Sequence, residues 1–140
     1  MSMVLQGRLE GKGHELQSQM EELQGFIRTA ARTGLSVHEV EQGLFKRLLA
    51  LGYELQQGFF ALLGDGDQGE TVTTSEGRVL HRLPSLHRRP YQSIFGPFEL
   101  ERVVYGTREG QRIEHVPLDA RLRLPAGKFS YLARRTGIRR

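Results

Sequence analysis

The sequence predicts an α+β protein, in which a helical hairpin of two helices precedes a small antiparallel β region with two or more hairpins. Apolar residues recur every three or four positions in the first half of the chain. In the second half, β-branched and aromatic residues alternate with charged ones, and glycine-rich turns separate the two parts. We therefore expect a flexible leader at 1–13, a helical hairpin at 14–64, an antiparallel β region at 70–132 and a basic disordered tail at 133–140.

The first predicted helix spans Glu15 to Ala31. Its apolar positions step alternately by four and three residues and so form one stripe: Leu16, Met20, Leu23, Ile27 and Ala30. Thr33 and Gly34 end this helix, because glycine readily adopts the left-handed conformation of a helix C-cap.

The second predicted helix begins at Val37, where Ser36 and Glu39 form a capping box. Its apolar stripe is the longer one: Val37, Val40, Leu44, Leu48, Leu51, Leu55, Phe59 and Leu62. Three glycines lie within this helix: Gly43, Gly52 and Gly58. Each of them weakens an isolated helix by up to about 1 kcal/mol relative to alanine. Packing against the first helix, or against a second copy of itself, must therefore stabilise the second helix.

Two helices joined by a short turn also suggest a helix-turn-helix motif. In such a motif, residues near the start of the second helix enter the major groove of DNA. Here those residues include Glu39 and Glu41, whose charge would be repelled by phosphate. The sequence therefore favours an αα-hairpin that packs or dimerises.

Two hairpins are predicted in the β region. The first covers Thr71–Leu83, with Glu76 and Gly77 at its tip. The second pairs Tyr91–Phe95 with Phe98–Tyr105 across a turn at Gly96-Pro97. Because side chains alternate along a strand, one face of the second hairpin carries Phe98, Leu100 and Val104, and the other carries Glu99, Glu101, Val103 and Tyr105.

A further strand is predicted at Ile113–Val116, pairing back onto the hairpins. The chain between this strand and residue 132 is assigned to the β region as well. The closing arginines belong to the predicted disordered tail.

Charge divides the chain in two. Residues 1–70 carry six Lys or Arg and ten Asp or Glu, a net charge of −4, whereas residues 71–140 carry fourteen and six, a net charge of +8. Thirteen of these fourteen cations are arginines, whose planar guanidinium group matches phosphate oxygens. We therefore expect a nucleic-acid-binding surface in the second half. The candidate binding residues are Arg78, Arg82, Arg88, Arg89, Arg121 and Arg123.

The composition argues against several classes of protein. Cysteine is absent, which rules out disulfides and thiolate metal sites. No apolar run approaches the roughly 18–20 residues of a membrane-spanning helix, and the N-terminus lacks the apolar block of a signal peptide. We therefore expect a cytoplasmic protein with no membrane partner and no small-molecule substrate.

Two sequence patterns partly match metal sites, but both are incomplete. Asp65, Asp67 and Glu76 occupy positions 1, 3 and 12 of a calcium-loop register, but Glu70 stands where that loop requires glycine. His81 and His87 have no acidic or cysteine partner at ligand spacing, so a zinc site is not expected. We predict no metal site in this chain.

No catalytic site is predicted either. Ser130, His115 and Asp119 are the residue types of a hydrolase triad, but nothing in the sequence indicates that they converge. The β half has too few acidic residues on one strand face for a two-metal nuclease site. We therefore expect a chain that is not an enzyme and that binds no cofactor.

Three segments carry a family resemblance. Leu62–Gly69, Tyr91–Gln111 and Val116–Leu132 resemble the N-terminal region of bacterial insertion-sequence transposases of the ISKra type, and the resemblance extends over roughly Ser36 to Leu132. In that family this region precedes a larger catalytic core with an RNase-H-like fold and a metal-binding acidic triad. The resemblance implies that a divalent metal belongs only to that core, which has no counterpart here. The residues after Leu132 depart from the family pattern and suggest a truncated or frameshifted tail.

The sequence thus supports one main hypothesis and two alternatives. The main hypothesis is a non-catalytic N-terminal portion of an insertion-sequence transposase, whose helices self-associate and whose arginine-rich half binds DNA. The first alternative is a helical protein–protein interaction module that regulates intact transposase by forming mixed oligomers. The second is a decayed gene fragment.

Overall fold

The structure is a computed structural model that describes residues 3–107 and 112–136. Within them, two N-terminal helices are followed by antiparallel strands in two small sheets and by two short helices, so the predicted α+β class is confirmed. The chain divides into two compact units, a first unit at Met1–Leu62 and a second unit at Leu63–Arg140.

The first unit contains α1 (Met3–Thr33) and α2 (Val37–Leu63, whose last residue opens the second unit). Gly34 has a positive φ of 73°, and the amides of Gly34 and Leu35 both donate to the carbonyl of Ala30 at 3.1 Å. The Ser36 hydroxyl accepts from the amide of Glu39 at 3.2 Å. The predicted helix end and the predicted N-cap are therefore both present.

The start of α1 differs from the prediction. Residues 3–13, predicted as a flexible leader, belong to the helix. Each of the glycines at 7, 11 and 13 disfavours a helix on its own. The residues around these glycines are mostly good helix formers, among them Leu5, Arg8, Leu9, Glu10 and Lys12, and they continue a helix that is already nucleated.

Packing between α1 and α2 explains one of the glycines in α2. A side chain at Gly43 would meet the ring of Phe26, and the guanidinium carbon of Arg47 lies 3.9 Å from the centroid of the same ring. The ring of Phe26 in α1 thus lies directly on the backbone of α2 at Gly43. Leu23 and Ala30 of α1 and Leu49 of α2 are buried.

In the second unit, a four-stranded antiparallel sheet has the order β1-β2-β5-β6. These strands are β1 (Thr71–Thr73), β2 (Val79–Arg82), β5 (Tyr105–Gly106) and β6 (Ile113–His115). The β1–β2 turn places Gly77 at a φ of 85°, as expected for the tip of the first predicted hairpin. The strand predicted at Ile113–Val116 is confirmed as β6.

The second sheet is the central hairpin, and its turn differs from the prediction. Strand β3 (His87–Gln92) pairs with β4 (Pro97–Arg102), and Tyr91 lies opposite Phe98. The turn is therefore Ser93–Gly96 rather than Gly96-Pro97. The Ser93 hydroxyl accepts from the amides of Phe95 at 3.0 Å and Gly96 at 3.2 Å, which stabilises this turn. Pro97 can begin β4 because the first residue of a strand tolerates the missing N–H.

The alternation predicted for β4 holds only as far as Arg102. Phe98 and Leu100 are buried, and Glu99 and Glu101 are exposed. Val103 and Tyr105, predicted to share a face with the two glutamates, are instead buried, as is Val104. The reason is that β4 ends at Arg102 and the chain then enters the other sheet, where Val103 and Tyr105 form a core with Leu80.

The last described part of the chain contains two helices where we predicted strands and disorder. Helix α3 covers Pro117–Leu122 and α4 covers Tyr131–Thr136, while residues 137–140 of the predicted tail lie outside the described residues. Pro117 suits the first turn of a helix because its φ is already helical and its missing N–H is not needed there. The Ser130 hydroxyl accepts from the amide of Ala133 at 3.0 Å and so begins α4.

Candidate nucleic-acid interface

Two of the predicted binding arginines form exposed ion pairs. Arg78 donates to both carboxylate oxygens of Glu114, each at 3.1 Å. Arg82 donates to both oxygens of Asp67, at 2.7 and 2.8 Å. Exposed ion pairs of this kind contribute little to stability and are screened by salt. A phosphate could therefore compete for either guanidinium, but only by displacing a carboxylate.

Arg88 is more accessible. It lies opposite Glu101 in the central hairpin, and its guanidinium nitrogens are 3.5 Å from Glu101 and 3.9 Å from Glu99. Its side chain is 70% exposed. These long, solvent-exposed contacts leave the Arg88 guanidinium available to a ligand.

Arg89, by contrast, is part of the internal structure. Its side chain is 18% exposed and donates to the Asp119 carboxylate at 2.9 Å, to the Gly127 carbonyl at 3.2 Å and to the Pro125 carbonyl. Arg102 contacts both oxygens of the same carboxylate, at 3.0 and 3.1 Å. With its donors engaged inside the protein, Arg89 is not placed to contact DNA.

Arg121 and Arg123 lie at the end of α3, and both are exposed. Arg123 has a positive φ of 52°, and its amide donates to the Ala120 carbonyl at 3.3 Å, which closes the helix. Among the described residues, neither arginine has an ion-pair partner. These two of the six predicted arginines are the best placed for a polyanion.

Further cations lie near these two in the chain. Lys128, Arg134 and Arg135 are also exposed, and none forms an ion pair with another described residue. We call Arg121, Arg123, Lys128, Arg134 and Arg135 the C-terminal basic segment. A sequence signal for it exists, because residues 120–140 contain no Asp or Glu at all.

Main-chain bonds attach this segment to the central hairpin. The amide of Gln92 in β3 donates to the Lys128 carbonyl at 2.9 Å, and the amide of Ser130 donates back to the Gln92 carbonyl at 2.8 Å. Gln92 and Phe129 thus form a parallel bridge. Together with the carbonyl bonds from Arg89, these contacts hold the backbone of the segment firmly while its cationic side chains stay in solvent.

The surface near Asp67 has a different character. Asp65, Asp67 and Glu70 line an open cavity of about 820 Å³ together with His81 and Arg82. The pKa of Asp67 is lowered, first by the hydrogen bond from the Gly69 amide at 2.9 Å and next by the bond from Arg82. Three carboxylates around one cavity disfavour phosphate.

The residues of the possible triad have structural contacts. Asp119 is held by Arg89 and Arg102, and the Ser130 hydroxyl is the N-cap of α4. The ring of His115 lies against Tyr105, with 6.5 Å between centroids. Over the described part of the chain, no group of three or more potential metal ligands comes together.

A second surface lies in the first unit. Along α2, four large apolar side chains are about half exposed: Phe45 (54%), Leu48 (46%), Leu55 (55%) and Phe59 (49%). We call these four residues the α2 stripe. The sequence predicted an apolar stripe here, but could not show how much of it α1 covers.

Comparison with protein-family models, with curated proteins and with solved structures finds no match to this chain. In the described residues, no helix is both long enough and apolar enough to cross a membrane.

Proposed function

We propose that this chain is a non-catalytic DNA-binding and self-association module, equivalent to the N-terminal region of an insertion-sequence transposase of the ISKra type. The observation that carries the DNA role is the C-terminal basic segment, five exposed cations without ion pairs to the described residues in a stretch free of acids. The transposase assignment is supported by the sequence resemblance alone. The proposal includes no catalytic role and implies a cytoplasmic protein.

The physical basis for DNA binding is counterion release. Each Lys or Arg that neutralises a phosphate releases condensed cations from DNA, so binding weakens as salt rises. Five contacts from the C-terminal basic segment would give log affinity a slope of about −4.5 against log salt. Arg88 is exposed and can add a further phosphate contact. Arg89, whose guanidinium is bonded inside the protein, is not expected to contribute.

Fluorescence anisotropy with a labelled DNA duplex, measured over a salt series, tests this proposal. The triple variant Arg121→Gln, Arg123→Gln, Lys128→Gln should lose about three units of the slope. A matched control replaces three exposed cations of the first unit: Arg28→Gln, Arg32→Gln and Lys46→Gln. The control should keep the slope of the unmodified chain.

Two results would overturn the DNA role. One is the absence of salt-sensitive binding at protein concentrations below roughly 100 μM, the weak end of non-specific binding. The other is an equal loss of slope in both triple variants, since binding would then not depend on the C-terminal basic segment.

The α2 stripe favours a second candidate function. A helix with four half-exposed large apolar side chains is suited to pairing with another helix. The chain could then act as a protein–protein interaction module that forms mixed oligomers with intact transposase and so regulates it. Self-association without any DNA binding would favour this candidate over the first.

A further inference from the structure

The α2 stripe lies on a side of α2 that α1 covers only in part. At 3.6 residues per turn, Phe45, Leu48, Leu55 and Phe59 fall within an arc of roughly 80°. Gly43, which contacts Phe26 of α1, projects from the opposite side of the helix by the same count, and Leu44, which lines an apolar pocket with residues of α1, lies at one edge of the arc. The four stripe side chains keep about half of their surface exposed.

Gly52 lies on the same side of α2 as the α2 stripe. In chain order this side carries Phe45, Leu48, Gly52, Leu55 and Phe59, with spacings of three and four residues. This is the a/d spacing of a helix that pairs with another helix. A helix face of this kind can contact an identical face in the antiparallel direction through a two-fold axis, as in an isologous dimer.

We propose that α2 pairs with α2 of a second copy of this chain in an antiparallel, two-fold symmetric dimer. In this dimer, Gly52 of each copy lies opposite Leu55 of the other, and Leu48 lies opposite Phe59. The inference rests on the self-association part of the proposed function and names its partner and geometry.

Packing favours the antiparallel arrangement. In a parallel pair, Gly52 would face Gly52 of the second copy and leave a gap in the middle of the contact, where the close packing of an interface is lost. In the antiparallel pair the Leu55 side chain of one copy enters the space above Gly52 of the other. The two-fold axis produces this leucine–glycine contact twice in each dimer.

Charge favours the same arrangement. Glu41 continues the line of the stripe towards the start of α2 and would face Glu41 of the second copy in a parallel pair, where like charges repel. In the antiparallel pair, Glu41 lies beyond the end of the partner helix and stays in solvent. In the antiparallel pair the dipoles of the two helices also point in opposite directions, which is the favourable arrangement for neighbouring helices.

The size of the contact indicates a reversible dimer. The half-exposed side chains of the stripe present roughly 350 Å² of apolar surface per copy. If about 60% of the interface is apolar, the pair buries roughly 1,200 Å² in total, which is the lower end for specific interfaces. A contact of this size is typical of weak association, so we expect the dimer to dissociate on dilution.

Sedimentation and a distance measurement test the dimer. The chain has no cysteine, so His38→Cys gives a single exposed site for a spin label outside the contact and leaves Glu41 in place. In the antiparallel dimer the two labels lie about 47 Å apart along the helix axis, whereas a parallel dimer holds them side by side. Double electron–electron resonance should therefore give a distribution near this longer distance, broadened by the label linkers.

Leu55→Glu should convert the dimer to monomer, because it places a charge opposite Gly52. Its control is Val37→Glu, at an exposed apolar residue at the start of α2 that lies beyond the end of the partner helix in the proposed dimer, which should leave the dimer intact. Circular dichroism should show both variants to be helical, since both sites are exposed.

Three results would overturn the inference: a monomer at several hundred micromolar, a short label distance, or a dimer that survives Leu55→Glu. Failure of the dimer is distinct from failure of the DNA role. A monomer with salt-sensitive DNA binding removes only the dimer, and a dimer without DNA binding removes only the DNA role.

Discussion

The Asp119 side chain connects α3 to both strands of the central hairpin. It accepts hydrogen bonds from Arg89 of β3 and from Arg102 at the end of β4, while its own backbone belongs to α3. All three side chains are less than a quarter exposed. The sequence offered Asp119 as a possible catalytic group, but these contacts give it a structural role.

Asp119→Asn should therefore lower the free energy of unfolding by roughly 3 kcal/mol, because it leaves two mostly buried guanidinium groups without a counter-charge. Urea denaturation followed by circular dichroism measures this change. The control is Glu114→Gln, which removes the partner of the exposed Arg78 and should cost less than about 1 kcal/mol. Equal losses of unfolding free energy in both variants would show that Asp119 does not hold α3 to the central hairpin.

Asp67 supplies a pH dependence. Its pKa lies below the ordinary value of 3.8 because the Gly69 amide and Arg82 both stabilise the carboxylate. A lowered pKa means that the ionised form adds stability above pH 3.8, and that this contribution disappears as pH falls through the lower, folded-state pKa.

Asp67→Asn should accordingly be less stable than the unmodified chain at pH 6, and the difference should shrink as pH falls below 3.8. Denaturation midpoints measured from pH 6 to about pH 2 report this convergence. Glu76→Gln, at the tip of the first hairpin, serves as the control and should follow the unmodified chain. A constant difference across this range would contradict the assignment to Asp67.

At the scale of elements, the contact between α1 and α2 depends on a glycine. Alanine at position 43 would favour the helix intrinsically, but its methyl group would overlap the Phe26 ring, which also has Arg47 close to it. The overlap should outweigh the gain in helix propensity, because overpacking typically costs about 1–3 kcal/mol.

Gly43→Ala should thus lower the melting temperature, whereas Gly25→Ala should raise it. Gly25 lies within α1, and a side chain there would meet nothing within 4 Å, so only the gain in propensity of up to about 1 kcal/mol remains. Thermal unfolding followed at 222 nm, a standard helix signal, compares the two variants directly. A stabilising Gly43→Ala would mean that Phe26 does not pack on this backbone.

The helices show how much of the fold could be predicted from sequence. Helix α2 and the part of α1 from Glu15 onward follow from apolar spacing, and Gly34 marks the turn between them, because these signals are local. The part of α1 before Glu15 was not predicted. Helices α3 and α4 were not predicted. Each has only six residues, too few for a periodic stripe. Each also depends on a contact that is distant in the chain, because Asp119 of α3 bonds Arg89 of β3, and Ser130, just before α4, bonds Gln92 of β3.

Only part of the candidate site could be predicted, because the sequence does not show contacts between residues far apart in the chain. The sequence shows where arginines are, but not which carboxylates reach them. Arg89 and Asp119 are 30 residues apart in the chain, so their ion pair exists only through the packing of α3 on the hairpin. Arg121 and Arg123 remain as candidates because, among the described residues, no carboxylate pairs with them, and the neighbouring Asp119 is held by Arg89 and Arg102.

For the whole molecule, charge and apolar surface are separated. The first half is acidic and carries the α2 stripe, and the second half is basic and carries the C-terminal basic segment. A chain with this distribution can bind a second copy and a polyanion through different surfaces. The two proposed interactions should then be independent of each other.

Hydrogen exchange followed by mass spectrometry can test this independence. Addition of duplex DNA should slow exchange in peptides from residues 112–136 and leave α2 unchanged, because only the former carry the cations proposed to meet phosphate. Raising the protein concentration through the micromolar range should instead slow exchange in α2, where the proposed dimer contact lies. Leu55→Glu should abolish the second effect and keep the first. If DNA protected α2 as strongly as it protects residues 112–136, the two surfaces would be coupled, and the separation of roles proposed for the two halves would be wrong.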